Sequence, residues 1–407
     1  MTTRFRIAVM SLLLASACLK KQNPYYCQGL NPDNNCTERD GGGPSCAKSS
    51  ECPATTPVCD LVTDKRCRGC RSHQECPDSQ TCLPDGSCAD PANVAYASNP
   101  RGSDNLMCGV MSPCATIGAA LALQRPYLKL KGMFDEAVAI DRDVTVLSDP
   151  GTTLTRTNLL AGPHNIVTVT GTSTVKIYDL AINGSLGTDA GVVLPAGNAP
   201  SVTLSHVTMT GHNGSGGAIL VAGGTINVYR STISGNMGGG ISITMAQFDI
   251  ENTFITTNGN AQSLYGGIFL NIPQADGTHV LNFNTISANV AKIDAAPGVE
   301  CVLVDQDLTF ANNIVYKNAS SGDQVNGMHC LWSYSDIQIS TGMVIGAGNR
   351  NEDPLFVNVN GGNFHLQSSS PVINKADQAS TLDIDIDGDV RPQGAGRDMG
   401  ADEYKSP

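Results

Sequence analysis

The feature that most constrains this chain is a short pattern that returns at intervals too small for a domain. Val175-Lys-Ile177-Tyr-Asp-Leu180-Ala-Ile182, Val202-Thr-Leu204-Ser-His-Val207-Thr-Met209, Ile226-Asn-Val228-Tyr-Arg-Ser-Thr-Ile233, Phe248-Asp-Ile250-Glu-Asn-Thr-Phe-Ile255 and Leu308-Thr-Phe310-Ala-Asn-Asn-Ile-Val315 place apolar residues first, third and eighth, and at times sixth. Alternation with period two, broken by a polar corner, means two short strands meeting at a bend with both apolar faces turned inward. The starts at 175, 202, 226 and 248 lie 27, 24 and 22 residues apart. The wider gap before Leu308 holds one more, irregular coil around Leu281-Asn-Phe283. Strand signals at such a period imply a β-solenoid, in which each coil buries its apolar face only against its neighbours. Gly216-Gly217, Gly239-Gly240 and Gly266-Gly267 each precede a third strand of the turn.

The last coil leads into Asp353-Pro-Leu-Phe-Val-Asn and Asn363-Phe-His-Leu-Gln-Ser-Ser-Ser-Pro, then Asp385-Ile-Asp-Gly-Asp-Val-Arg-Pro and Asp398-Met-Gly-Ala-Asp-Glu-Tyr. Together with the coils, these segments resemble the C-terminal cap of secreted bacterial right-handed parallel β-helix proteins of pectate-lyase-like architecture. The resemblance runs from about Asn105 to Tyr404. It implies an all-β fold, and it leaves activity open because this scaffold carries many functions. Asn105-Leu-Met-Cys108 through Pro113-Cys114-Ala-Thr-Ile-Gly-Ala-Ala-Leu resembles the N-terminal cap, a turn and short helix covering the first coil, with Cys108 and Cys114 close enough to clip the loop.

Residues 1–17 read as an export signal. Arg4 and Arg6 precede an apolar stretch, Ile7 to Ala15, too short to span a bilayer. Ala15-Ser16-Ala17-Cys18 resembles a bacterial lipobox, which implies lipid on Cys18 and an outer-membrane or cell-surface lipoprotein; cleavage near Ala17 leaves a secreted protein instead. Of fifteen cysteines, assigning Cys18 to lipid leaves an even fourteen for disulfides, as an oxidising compartment favours.

Residues 18–99 form a cysteine-dense segment, expected to fold apart from the solenoid of 100–407. It holds Cys27, Cys36, Cys46, Cys52, Cys59, Cys67, Cys70, Cys76, Cys82 and Cys88. Cys46…Cys52-Pro…Cys59…Cys67 repeats as Cys70…Cys76-Pro…Cys82…Cys88, a spacing that resembles small modules of the Dickkopf N-terminal type. Cys67-Arg-Gly-Cys70 lacks the βαβ setting of a redox site, so disulfide staples in an undetermined order are expected. Cys301 and Cys330 stand 29 residues apart in apolar runs, and are expected on the same strand of consecutive coils, joined by a disulfide.

Net charge −12 excludes a nucleic-acid partner, which needs a basic face. The fifth position of the repeat holds Asp179, His206, Arg230, Asn252 and Asn312. Stacked at about 4.8 Å per coil, Asp179, His206 and Arg230 are the catalytic candidates. Asn and Asp also suit a left-handed corner, and that is the plainer expectation. Polygalacturonase-like motifs are absent except for a partial echo, Gly211-His212-Asn213-Gly214; so is the arginine motif of pectate lyases. Asp383, Asp385, Asp387 and Asp389 look like half a calcium loop, but an EF-hand needs Glu where Gly394 stands. Pairing of these carboxylates with Arg391 or Arg397 is the favoured alternative, and no other cofactor is expected.

The expectation is thus a surface-anchored, non-catalytic β-helix binding a polysaccharide or surface protein, contacting membrane only through its lipid. The alternative is a polysaccharide lyase or glycoside hydrolase, for which clustered carboxylates and aromatic sugar platforms are the signature. Trp332 is the only tryptophan.

Overall fold

A computed structural model of the chain describes residues 43–62, 65–157, 164–185, 187–274, 277–319 and 323–406. Cys18, Cys27 and Cys36 lie outside them. The chain winds as a right-handed parallel β-helix with three walls. The first wall stacks Val94–Asn99, the leading part of Tyr127–Asp135, Val144–Ser148, Thr174–Tyr178, Ser201–Ser205, Thr225–Tyr229, Gln247–Glu251, His279–Asn282, Leu308–Ala311 and Cys330–Ser333. The second wall follows each of these after one bend, as in Ala181–Asn183, Thr208–Thr210, Thr232–Ser234, Phe254–Thr256, Thr285–Ser287 and Ile314–Tyr316. The third runs from Val138–Ile140 through Ile219–Val221, Ile241–Thr244 and Ile268–Ile272 to Val299–Val304.

The repeat works as its period implies. Val175, Ile177, Leu180 and Ile182, with their equivalents up to Leu308, Phe310 and Val315, are buried in one continuous core. In the bend, Asp179, His206, Arg230, Asn252, Phe283 and Asn312 all have φ between 48° and 61°, the left-handed corner. Inside the next bend, Asn236, Asn258, Asn289 and Asn318 form a ladder, each amide donating to a carbonyl of the preceding coil. These amides occupy backbone groups that a buried turn would otherwise leave unmade. Before the third wall, the glycine pairs make room for a ring. Gly217 and Gly239 have φ of 74° and 119°, and a Cβ on either would stand 2.3 or 2.5 Å from Tyr265.

The helix Ile117–Leu121 closes the N-terminal end, with Ile117 and Ala120 in the core. Thr116 caps it through the Ala119 amide. Cys108–Cys114 clips the preceding loop.

Four expectations need correction. The β-helix begins at Val94, inside the segment expected to be linker, because Val94–Asn99 pairs in register with Tyr127–Gly132. The second cysteine repeat is docked, not separate: Leu83 and Ala89 are buried with Val94, Tyr96, Leu147 and Tyr178. The module has little core of its own, but the wall offers it an aromatic outer row. The Tyr96 hydroxyl donates to the Ser79 carbonyl at 2.6 Å, and buried His73 hydrogen-bonds the Ser148 backbone.

Cys301 and Cys330 are bonded, but not as strand neighbours. Cys301 pairs with Leu270 in the third wall and Cys330 with Leu308 in the first, so the bridge crosses the interior. The C-terminal segment, expected to cap the last coil, instead turns back along the outside of the second wall. Phe356, Phe364, Leu366, Val372, Ile386, Met399 and Ala401 form a second core there with outward Phe254, Phe283 and Ile314.

Candidate functional site

The cysteines resolve first. Cys46–Cys59 with Cys52–Cys67, and Cys70–Cys82 with Cys76–Cys88, give both repeats the same interlaced connectivity. Cys67 and Cys70 thus belong to different modules and form neither a redox nor a zinc pair. Six disulfides among the described residues place the chain in an oxidising, exported setting. No helix among the described residues is long and apolar enough to cross a membrane.

The proposed catalytic ladder splits in two. His206 Nδ1 lies 3.5 Å from Asp179 Oδ1, both partly exposed. Arg230 is buried, and its Nε donates to the Ile386 carbonyl of the C-terminal strap at 3.3 Å. Asn252 Nδ2 likewise donates to the Ile384 carbonyl, and Asn312 receives the Asp377 amide. The strap thus covers the ladder from Arg230 onward, leaving no open acid, base and clamp.

His212 is fully buried and takes a position in the asparagine ladder. Its Nε2 meets the Ile182 carbonyl at 3.1 Å, as each ladder amide meets its own carbonyl, while Nδ1 has no partner. Burial pushes its pKa down to about 4. The partial motif around it is therefore a structural turn.

Three aspartates of the expected calcium loop, Asp385, Asp387 and Asp389, turn to different partners. Asp385 turns inward and accepts the amides of Asp387, Asp389 and Glu403. Asp387 contacts His365 Nε2 at 2.8 Å and Asp389 contacts Lys405 at 2.9 Å. The carboxylate that Arg391 meets directly is Glu403, at 3.1 Å, its charge also acts on buried Asp385, and Arg397 Nε donates to the Leu382 carbonyl.

An open polar surface remains on the first wall, between the docked module and the later coils. Register aligns Thr174, Ser201, Thr225 and Gln247 in one outward row, Lys176, Thr203, Asn227 and Asp249 in the next, and Tyr178, Ser205, Tyr229 and Glu251 in a third. The first row, Lys176 and Asn227 reach solvent, whereas Thr203 and Ser205 are buried and Tyr178 lies beneath the docked module. Strand spacing sets these side chains about 4.8 Å apart. Asn227 donates to Thr203 Oγ1 at 3.3 Å. The first row runs into a depression of ≈ 330 Å³ lined by Thr225, Met245, Gln247, Gln274 and His279.

At the far edge, the Tyr229 hydroxyl donates to Asp249 Oδ2 at 2.8 Å, and Asn282 Nδ2 donates to Glu251 Oε1 at 3.1 Å. Burial raises both carboxyls. Glu251 is pushed up to about 7 by burial and then by Asp249. The repeat's inward pattern gave no sign of this pair, because outward positions are free of periodicity. Among the described residues every tryptophan, tyrosine and phenylalanine is buried or half-buried, Trp332 within the core.

No protein-family model matches this chain, and no curated protein does. Solved structures do. It is similar to the pectate lyase Pel9A, with a TM-score of 0.48 and 15% identity over 77% of this chain and 96% of that one. It is also similar to the Dettilon tailspike protein, with a TM-score of 0.39 and 16% identity over 66% of this chain and 53% of that one. Both are likenesses of fold.

Proposed function

We propose that this is an exported, non-catalytic β-helix protein that binds a neutral glycan along the first wall. The observation that carries this reading is the register of hydroxyl and amide side chains from Thr174 to Gln247, continuous with the depression at Gln274 and His279. Hydroxyls, amides and an imidazole at a fixed repeat match the hydroxyl edges of an extended sugar chain. Lys176 is the sole cation in those three rows, too few to bind a polyuronate by charge. A lipid on Cys18 is the proposed anchor; intact mass of the membrane-extracted protein, starting at Cys18 with acyl mass added, tests it.

Hydrolysis is the second reading, favoured by one observation. Two carboxylates on one strand, with Glu251 near pKa 7, are the kind of pair that can divide acid and base roles. It is the weaker one, since Asp249 is already engaged by Tyr229 and the pair lies apart from the depression. Arginine at Asn227 tests the first reading: Asn227→Arg blocks the middle of the polar rows while leaving the inward core untouched. Loss of polysaccharide binding with unchanged stability is expected; undiminished binding contradicts it.

A further inference from the structure

Three polar atoms in the C-terminal strap meet in a way that neither the glycan-binding surface nor the solenoid accounts for. His365, Asp387 and Asp402 each present one ligand atom, and the three atoms lie within 4.8 Å of one another. They come from separate segments: His365 from the strand Asn363–Leu366, Asp387 from the turn built on Asp385, and Asp402 from the tail.

The imidazole is oriented from outside the trio. Asn363 Oδ1 accepts the His365 backbone N–H at 3.1 Å and also faces Nδ1 at 2.8 Å. A backbone N–H can only donate, so this atom is the amide oxygen and Nδ1 carries its proton. That leaves Nε2 to face the Asp387 carboxylate, at 2.8 Å. A histidine held by an Nδ1 donor bond, with Nε2 turned to carboxylates, is the usual supporting arrangement of a metal ligand. The Phe254 ring walls one side of the imidazole, edge-on at 5.3 Å. Asp402 is 6% exposed, and one of its oxygens accepts the Leu366 amide at 2.7 Å.

We infer that His365, Asp387 and Asp402 bind a divalent metal of the zinc class, which ties the three segments of the strap together. One imidazole nitrogen and two carboxylates suit zinc or a neighbouring first-row ion, with water in the fourth place. They do not suit calcium, which needs six to eight oxygens. The other close trios, Cys46, Cys52 and Cys59, and Cys70, Cys76 and Cys82, are consumed by disulfides. Because the ligands assemble only when the strap folds, binding energy becomes strap stability.

The test uses the oxidised, untagged full chain after chelator treatment, titrated calorimetrically with zinc alone, manganese alone and calcium alone. One zinc per chain is expected, with a rise in unfolding temperature of the unsubstituted protein. His365→Ala and Asp402→Asn should each weaken binding by more than about a hundredfold, and Asn363→Ala by about ten- to a hundredfold. Asp389→Asn, which touches only Lys405 among side chains, should leave it unchanged. The inference is overturned by no zinc uptake at about 100 μM, by a preference for calcium, or by uptake that survives His365→Ala. The unfolding shift of the unsubstituted chain decides the matter if a variant fails to fold.

Discussion

The guanidinium of Arg391 sits 4.6 Å above the ring centre of Phe283, joining the C-terminal strap to a corner of the β-helix 108 positions earlier in the sequence (283 to 391). All five of its N–H groups are used. Nε donates to the Ile384 carbonyl, one terminal nitrogen to Asp398 O and Glu403 Oε2, and the other to Asn252 Oδ1 and Gly400 O. Gly400 is needed beside it: at φ 90° it lies against Ile314, and a Cβ would come within 2.5 Å of that side chain.

Arg391→Leu should therefore release the strap. It leaves Glu403 buried without its cation and takes the Arg391 donors from the Asp398 and Gly400 carbonyls, while Ile384 keeps Asn252, a loss of about 3–5 kcal/mol. Arg391→Lys keeps the charge but not the fork, and should fall between. Chemical denaturation and trypsin cleavage after Arg350 measure it; a loss below about 1 kcal/mol would show that the strap holds by its apolar face alone.

The Cys301–Cys330 bridge links two walls through the interior, with Cα atoms 6.6 Å apart. For a loop of 29 residues its removal should cost about 3–4 kcal/mol. The double serine variant, unfolded in urea beside the unsubstituted protein, gives the difference. Non-reducing peptide mapping should recover the linked pair.

His212 gives the ladder an acid sensitivity. Its folded pKa of about 4 lies below the ordinary 6.5 of a histidine, and burial is the cause, opposed only by the Ile182 carbonyl. As pH falls from 6.5 towards 4, the unfolded chain takes up a proton that the folded chain refuses. Stability is lost over that window, by on the order of 3 kcal/mol, and nothing is lost above it. His212→Asn restores the ladder residue and removes the effect. The difference between the two proteins in unfolding free energy should change between pH 7 and 4; a constant difference would contradict the assignment.

The coils were legible because period-two alternation and a fixed corner are local. The duplicated cysteine spacing was legible for the same reason, and Cys301 with Cys330 were rightly paired for the wrong geometry. Cys330, Trp332 and Ile337 fit the first, third and eighth positions of the repeat, a signal that would have put Cys330 on the first wall. What the sequence hid is the strap, because its route depends on contacts such as Arg391 to Asn252, 139 residues apart. Phe283 misled for a related reason. It continues the alternation from Leu281, yet its φ of 53° turns it outward beneath Arg391.

Docking of the second cysteine repeat predicts protection of Val94–Asn99. With disulfides intact, limited proteolysis should spare the stretch between Cys88 and Cys108 until the module detaches. Tyr96→Phe, which loses the hydroxyl's bond to Ser79, should cost about 1 kcal/mol and speed cleavage there. Immediate cutting in the unsubstituted protein would restore the picture of an independent module.

The central claim is most directly tested by exposing the purified protein to a panel of neutral and acidic polysaccharides, reading binding and released product together. Saturable binding to a neutral polymer, abolished by Asn227→Arg and with no product after prolonged incubation, is the predicted result. Product formation that disappears in Glu251→Gln would contradict it and make the Asp249–Glu251 pair a catalytic one.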